Sequence, residues 1–306
     1  MRIRDSKTGS PANHTQAVEK LLSNYDLRYL KEIVAKISIP RHFQDEERNN
    51  KQVALWIECE FQKFGLRTQR QGKYENIIAT TLDDATQARI LIGAHYDSVP
   101  KTPGADDNAS AVAGMLAAAK ALTLVRPLPV TYVAFNCEED GLLGSQDFVQ
   151  NYLSPSSHKL KAVHILEMIG YRDHAPGSQT SPTELPINLG DTADFIGILM
   201  NEASNKYAGS LIETAEKYVS DLPVKTLEIF DSMERHFPDL LRSDHSPFWT
   251  AELPALMWTD TSEFRNPHYH KPSDTPETLD YAFIKKVVDL LVLHSVRALK
   301  PGILVD

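Results

Sequence analysis

Apolar residues near the start of the chain recur with the period of an α-helix. From Leu27 to Ile37 they return every three or four positions, and Pro40 follows, so we predict an amphipathic helix that ends before that proline. A second helical pattern runs over residues 46–64 and stops at Gly65, a residue typical of helix C-termini. The early part of the chain therefore predicts two helices.

Continuous apolar runs of strand length occupy the middle of the chain. The runs over residues 88–95 and 129–135 are almost uninterrupted, as strands buried on both faces tend to be. Because such runs alternate with helical patterns, we predict an α/β fold with a mixed, mostly parallel central sheet covered by helices on both faces. The other predicted strands are 66–71, 76–82, 161–168 and 254–259, and the other predicted helices are 110–122, 144–152, 193–205, 211–219 and 279–299.

No internal repeat or low-complexity tract divides the chain. An α/β protein of 306 residues is commonly one unit, so we predict a single domain over residues 1–306. Residues 1–25 have no firm hydrophobic period, and we expect a looser N-terminal segment there that leads into a helix. Residues 170–186 are predicted to form a loop.

The charge balance restricts the partners of the chain. Its formal net charge is −9, from 41 acidic and 32 basic residues, which gives no reason to expect nucleic acid or anionic lipid as a partner. No run approaches the roughly 18 apolar residues that a membrane span needs. The N-terminus is positively charged but has no apolar stretch behind it, so it is not a secretory signal as written. We expect a cytoplasmic protein, or a secreted or periplasmic one if a leader was removed.

Acidic residues and histidines recur where the predicted strands stop, which is where open α/β sheets bind ligands. Each has a structural interpretation alone, as a surface pair, a turn or a helix cap, but unrelated surface features would not gather at one sheet edge. Imidazole and carboxylate groups suit zinc, or less selectively manganese or cobalt, and two cysteines are too few for a thiolate cage. The residues are His95, Asp97, Asp107, Glu138, Glu139, Glu167 and His270.

Four strings that contain these residues point to a known family. In order they read GAHYDS (93–98), PGADDNAS (103–110), CEEDGLLGS (137–145) and PHYHKPSDT (267–275). They resemble the co-catalytic di-zinc aminopeptidases, the family of aminopeptidase Y and the bacterial secreted leucyl aminopeptidases. The resemblance covers the chain from about residue 75 onward. It implies a zinc-exopeptidase fold of the phosphorylase/hydrolase-like type, a metallo-exopeptidase activity and a peptide substrate.

The resemblance also implies a role for each residue. Two Zn²⁺ ions, or other divalent metals, would share one bridging carboxylate, and a free glutamate beside them would act as general base. The peptide bond between Asp107 and Asn108 would be cis. Many family members have aspartate in place of Glu167, which keeps the same oxygen chemistry. The implied roles are His95 and Glu167 on the first ion, Glu139 and His270 on the second, Asp107 as the bridge, Glu138 as the base and Asp97 as the carboxylate that orients His95.

Substrate-binding residues are less sharply indicated. Met168, Phe248 and Tyr269 lie beside the motif residues, where they would either line an apolar side-chain pocket or belong to the core. Asp244 lies in the segment SDHSPF (243–248), which resembles another recurring family segment near the substrate. We expect Asp244 to help position the substrate or its amine.

Three other functions remain open at this stage. A glutaminyl-cyclase-like zinc acyltransferase shares the fold and uses one zinc, although the EEDG string (138–141) looks more like the peptidases. A family carboxypeptidase would use the same metal residues, because they do not fix the direction of the peptide. A non-catalytic binding domain would have lost ligands, whereas each implied position here holds a competent one. The sequence does not specify the preferred N-terminal residue, the native metal or the oligomeric state.

Overall fold

The computed structural model describes residues 1–10, 14–81, 88–125, 127–153, 159–300 and 302. Within these residues, nine strands form one sheet with the order β1-β8-β7-β9-β6-β4-β5-β3-β2. The strands are β1 (Arg2–Asp5), β2 (Arg67–Gln71), β3 (Asn76–Thr80), β4 (Arg89–His95), β5 (Val130–Phe135), β6 (Leu160–Glu167), β7 (Ile196–Met200), β8 (Val224–Glu228) and β9 (Ala255–Thr259).

The sheet is mixed, as predicted, and its parallel part lies at the centre. Strands β5, β4, β6 and β9 are parallel neighbours, and β7 pairs in parallel with β8. The other four pairings, which include both edges, are antiparallel. Parallel pairings therefore do not outnumber antiparallel ones. The expectation of a mostly parallel sheet holds for the four central strands and for the β7–β8 pair, while the remaining strands are added by antiparallel pairings.

Helices cover the two faces of the sheet unequally. Along β4, Ile90 and Ile92 belong to the apolar layer that contains the long helices, while Leu91 belongs to the second layer on the other face. The second layer contains α7 and the helical turns that follow α5. The helices are α1 (Gln16–Leu22), α2 (Leu27–Ile37), α3 (Glu47–Lys63), α4 (Ala111–Leu122), α5 (Leu143–Asp147), α6 (Ala208–Tyr218), α7 (Ser246–Thr250) and α8 (Tyr281–Leu299).

Several predictions of secondary structure need correction. The helix predicted over 193–205 is instead strand β7, and β8 follows α6 where no strand was predicted. The segment 1–25, predicted to be loose, contains strand β1 and helix α1 in its described part. Strand β1 forms because Arg2 and Arg4 both pair with the buried carboxylate of Glu228 on the neighbouring strand. Residues 11–13 and Leu82, the last residue of a predicted strand, lie outside the described residues.

One segment of the described chain, Ala105–Val125, is long and apolar enough to cross a membrane by length and composition. It contains α4, and 78% of its apolar window is buried inside the protein. Such burial is what the central helix of a folded domain shows, since α4 packs against α8 and the sheet.

Candidate metal centre

The structure brings the six candidate ligand and base residues together at one edge of the sheet. His95 ends β4 and Glu167 ends β6, while Glu138 and Glu139 follow the end of β5. The other two come from loops. These are Asp107, in the helical turn Ala105–Ser110, and His270, in the loop between β9 and α8.

Asp107 lies between the two histidines, with one carboxylate oxygen toward each. Its Oδ1 is 3.3 Å from His95 Nε2, and its Oδ2 is 3.1 Å from His270 Nε2. Glu167 Oε2 is 3.4 Å from His95 Nε2, and Glu139 Oε2 is 3.4 Å from His270 Nε2. The arrangement therefore has two halves that share Asp107.

The donor atoms of the cluster fit a metal ion. Each of three groups places one atom per residue within 4.8 Å of the others. Nε2 of His95 and Oε1 of Glu139 are buried and make no hydrogen bond within the described part of the chain. Buried polar atoms are rarely left unpaired, so these atoms are suited to a ligand. The groups are His95–Asp107–Glu167, Asp107–Glu139–His270 and His95–Glu138–Glu139.

Asp97 connects the two strand ends on either side of the cluster. Its Oδ1 is 3.3 Å from His95 Nδ1, which is the contact that would orient the imidazole. Its two oxygens also accept hydrogen bonds from the backbone N–H groups of Glu138 (3.3 Å) and Glu139 (3.2 Å). Asp97 therefore holds the loop that carries both glutamates as well as the histidine.

Backbone geometry at the cluster is unusual. The peptide bond between Asp107 and Asn108 is cis, as the family resemblance implied. Three non-glycine residues beside or within the cluster have positive φ, namely Cys137 (57°), Met168 (47°) and His270 (55°). Such conformations are uncommon outside glycine and collect at functional sites.

Four residues that the sequence did not predict as part of the site hold the cluster in place through hydrogen bonds. Asp274 accepts hydrogen bonds from the backbone N–H groups of Asp106 (2.9 Å) and Asp107 (3.1 Å). The Asn108 amide donates to Leu166 O (3.1 Å) and accepts from Met168 N (2.9 Å), which fixes the backbone on both sides of Glu167. Both residues lie within motif strings, but no local pattern marks their hydrogen bonds, because the partners are distant in sequence.

The third is Ser243, whose hydroxyl donates to Glu167 Oε2 at 2.7 Å. The sequence indicated Ser243 only weakly, because it is the first residue of the segment SDHSPF (243–248), which resembles a family motif. A fourth supporting residue, Arg41, was not indicated. Its buried guanidinium donates to the carbonyls of Tyr96 (2.6 Å) and Gly104 (2.9 Å) in the loop that follows β4. Burial lowers the pKa of Arg41 to about 10, although nearby carboxylates such as Asp97 oppose this change.

Comparison with known proteins agrees with this geometry. The family model described as peptidase family M28 matches residues 76–294, more than half of the chain. The chain belongs to peptidase family M28. The Escherichia coli K12 protein YfbL is 35% identical over 280 residues, which cover 86% of this chain and 83% of YfbL. Aminopeptidase YwaD of Bacillus subtilis 168 is 30% identical over 217 residues, which cover 69% of this chain and 41% of YwaD.

Solved structures share the fold of this M28 peptidase. The LapA aminopeptidase of Legionella pneumophila has a TM-score of 0.72 at 19% identity and covers 94% of this chain and 73% of its own. Porphyromonas gingivalis glutaminyl cyclase has a TM-score of 0.61, also at 19% identity, over 89% of this chain and 98% of its own. At such identities the likeness establishes the fold alone.

Burial and crowding shift the protonation of the cluster in the M28 peptidase. Burial, with the charges of Glu167 and Glu139, raises the pKa of Glu138 well above its ordinary value, and His95 opposes this rise only in part. Burial beside Asp107 raises the pKa of Glu139 to about 7. Hydrogen bonds and charge from Asp107 and Glu139 outweigh burial at His270 and raise its pKa to about 10. Like charges held this close are stabilised by a bound cation.

The cluster lies at one end of a cavity of about 420 Å³. Of the predicted pocket residues, Tyr269 lines this cavity, and its ring stacks on His270 with 3.7 Å between ring centroids. Met168 and Phe248 are fully buried and are not among the residues that line this cavity. Phe248 packs in the core with Phe135 and Phe148. Met168 and Phe248 are thus apolar residues that lie next to the motifs in sequence but belong to the core of the protein.

Asp244 lies behind the cluster, outside the cavity lining. It is fully buried, and burial raises its pKa to about 7. The nearby charges of His95 and Glu167 act on it in opposite directions. This position suits electrostatic support of the cluster better than contact with a substrate.

Proposed function

We propose that this M28 peptidase is an aminopeptidase whose cluster holds two zinc ions. The observation that carries the proposal is the position of Asp107, whose two oxygens face His95 and His270 separately. A carboxylate placed in this way can ligate two ions at once. The relatives named as aminopeptidases support the same activity.

Each half of the cluster offers a set of ligands of the types that zinc prefers. His95 and Glu167 would hold one ion and Glu139 and His270 the other, with Asp107 shared. When bound, the ions would lower the pKa of water and polarise the scissile carbonyl. Asp97 would keep His95 in the tautomer that presents Nε2 to the ion.

Glu138 would act as the general base. It belongs to the cluster, and its carboxylate is 4.0 Å from His95 Nε2, farther than that of Asp107 or Glu167. Its side chain would take a proton from the attacking water and give it to the leaving amine. Since Glu138 lines the cavity, its carboxylate can reach a bound substrate. Such proton transfer is typically worth a factor of about 10²–10⁴ in rate.

A substrate panel tests the proposal. Zinc-loaded wild type and Glu138→Gln are assayed on aminoacyl anilides, on the same compounds N-acylated, on N-acylated peptides with a free carboxyl end, and on peptides that begin with glutamine. The wild type is expected to cleave only free-amine substrates and to lose this activity with a chelator. Glu138→Gln is expected to keep the zinc content of the wild type while kcat falls by about 10²–10⁴.

Each other outcome identifies a different function. Cleavage from the carboxyl end of N-acylated peptides would show a carboxypeptidase. Cyclisation of N-terminal glutamine, with one zinc per chain, would show a cyclase. Binding of zinc without turnover of any substrate would favour a binding domain. Full activity of Glu138→Gln would remove Glu138 from the role of base.

A further inference from the structure

The floor of the cavity is a row of residues that starts at the metal cluster. Strand register places Glu167 beside Thr259, Thr259 beside Gly197, and Gly197 beside Lys225. These four residues lie on β6, β9, β7 and β8, and all of them line the cavity. The cavity therefore runs across the strands, away from the cluster.

A second row beside the first is apolar. Met257, Leu199, Leu227 and Ile3 are neighbours on β9, β7, β8 and β1, and they too line the cavity. Ile3 lies on β1, which is the edge strand beside β8, so it lies at the end of the row. The loop that contains Leu185 and Ile187, together with Leu240, adds further apolar lining.

The length of the rows exceeds one ordinary side chain. Neighbouring strands are about 4.8 Å apart, so the row extends about 14 Å from β6 to β8 and about 19 Å from β6 to β1. A leucine side chain at the cluster would fill only the near part. The far part, over β7, β8 and β1, needs a longer occupant if it is used.

The sheet face offers no backbone partner to an extended peptide as that occupant. The backbone N–H and C=O groups of these strands are engaged in the sheet, so its face presents side chains. Polar residues such as Arg242 and Glu263 also line the cavity, but these two pair with each other. A peptide that lay on the apolar row would leave its own backbone groups without partners there, which is costly in an apolar environment. A long apolar group without amides fits the lining.

Gly197 and Ile3 control how far such a group can reach. Gly197 lies mid-floor and presents no side chain between Thr259 and Lys225. A Cβ added there would be 3.3 Å from Thr259 O and 3.8 Å from Phe195, and any larger side chain would extend into the cavity. Ile3 lies two strands farther out.

We propose that the cavity accepts a long apolar side chain on the residue at the amino side of the scissile bond, and that Gly197 and Ile3 set its maximum length. This inference rests on the proposed aminopeptidase function. The enzyme then prefers residues with extended, unbranched or bulky apolar side chains over leucine.

A homologous series of substrates tests it. The zinc-loaded enzyme is assayed on anilides of alanine, norvaline, norleucine, 2-aminooctanoate and 2-aminodecanoate, and on alanine anilide carrying N-acyl chains of increasing length. We expect kcat/KM to rise by about fourfold per methylene, the ratio that corresponds to moving one methylene out of water. The rise is expected to continue beyond norleucine.

Two variants locate the limit. Gly197→Val is expected to stop the rise near norleucine, so that the ratio of kcat/KM for the longest substrate to that for alanine falls, while Ile3→Trp lowers this ratio by at least tenfold only for the longest substrates. Matched controls are Gly209→Val, at an exposed glycine with open space around it, and Leu55→Trp, at a leucine that is 57% exposed. Both controls should keep the wild-type profile. If Gly197→Val does not fold, Ile3→Trp decides.

Three results would overturn the inference. A wild-type profile that stays flat beyond norleucine, with alanine and norleucine anilides still cleaved, rejects the long cavity but keeps the aminopeptidase. A length dependence that appears only for N-acyl chains would assign the cavity to an acyl group. Absence of cleavage of every free-amine substrate would reject the proposed function, and this inference with it.

Discussion

At the scale of single residues, two buried carboxylates outside the ligand set fix the backbone that carries the carboxylates of the cluster. Asp97 and Asp274 each use both oxygens to hold backbone N–H groups beside the cluster. Asp274 holds the turn that carries Asp107, and Asp97 holds the loop that carries Glu138 and Glu139. The geometry of the cluster thus depends on buried negative charge around it as well as on its own members.

Replacing Asp274 should weaken metal binding without removing a ligand. Asp274→Asn substitutes an N–H donor for one acceptor, so one backbone N–H group of Asp106 or Asp107 loses its partner. We expect zinc affinity to fall by about 10–100-fold, and activity to recover at high zinc. Competition with a chelator measures the affinity. The control is Glu277→Gln, three positions away, and equal affinities of the two variants would contradict the role of Asp274.

The candidate metal ligands and general base could be predicted from the sequence, whereas the residues that hold them in place could not. His95, Glu138 and Glu139 follow recognisable strands, and Asp107 and His270 lie in recognisable motif loops, so all were predicted. Nothing near Arg41 or Asp274 predicts their hydrogen bonds, because the partners lie 55 and 167 or more residues away. Tertiary contact alone reveals these supports.

At the scale of elements, β7 and β8, which were not predicted as strands, both border the cavity. The apolar run of β7 does not alternate, since Ile196, Ile198 and Met200 face one apolar layer while Leu199 packs on the other. Such a run resembles a buried helix as much as a strand. Strand β8 ends with the buried Glu228, whose neutralising arginines lie on β1. A buried carboxylate of this kind cannot be anticipated from local sequence.

The contact of α8 with the sheet should make stability depend on pH. His294 on α8 lies 5.7 Å from the ring of His164 on β6, and both are buried. Burial, with the charge of Arg297, lowers the pKa of His294 to about 4. In the unfolded chain histidine titrates near 6.5, so below that pH the unfolded state binds a proton that the folded state rejects. Stability is therefore lost as the pH falls from about 6.5 to 4.

For His294 the expected loss between pH 7 and pH 5 is about 2 kcal/mol. His294→Phe keeps an aromatic ring and removes the titration, so its free energy of unfolding should fall by that much less over this range. Urea denaturation at the two pH values measures the difference. His174→Gln, at an exposed histidine, serves as the control. Equal pH dependence in His294→Phe and the wild type would show that His294 does not contribute.

At the scale of the whole molecule, the net charge of −9 includes a concentrated buried part. Asp97, Asp107, Glu138, Glu139 and Glu167 meet in one small region at the sheet edge. The strands and loops that bring them together span most of the chain. The repulsion among these groups therefore opposes folding of the molecule as a whole when no cation is present.

Metal removal should accordingly lower thermal stability. Zinc at about 100 times its dissociation constant stabilises a folded protein by about 2.7 kcal/mol per site, which corresponds to a rise in Tm of about 4 °C for a chain of this size. Differential scanning calorimetry with zinc and with a chelator measures the shift. His270→Ala should show a smaller shift, because one half of the cluster loses a ligand. A Tm that is independent of zinc would mean that the cluster does not hold it.

The position of β1 has a practical consequence for recombinant forms of the protein. Met1 and Ile3 both pack against the apolar layer on the cavity face of the sheet, and the amino group of Met1 is 3.6 Å from the sulfur of Met233. An affinity tag fused ahead of Met1 would thus start near Ile3, at the far end of the apolar row, and would compete there with large substrates. A tag placed after α8 would follow a helix that packs on the opposite face of the sheet. Proteins tagged at the two ends are therefore not equivalent reagents for profiling specificity.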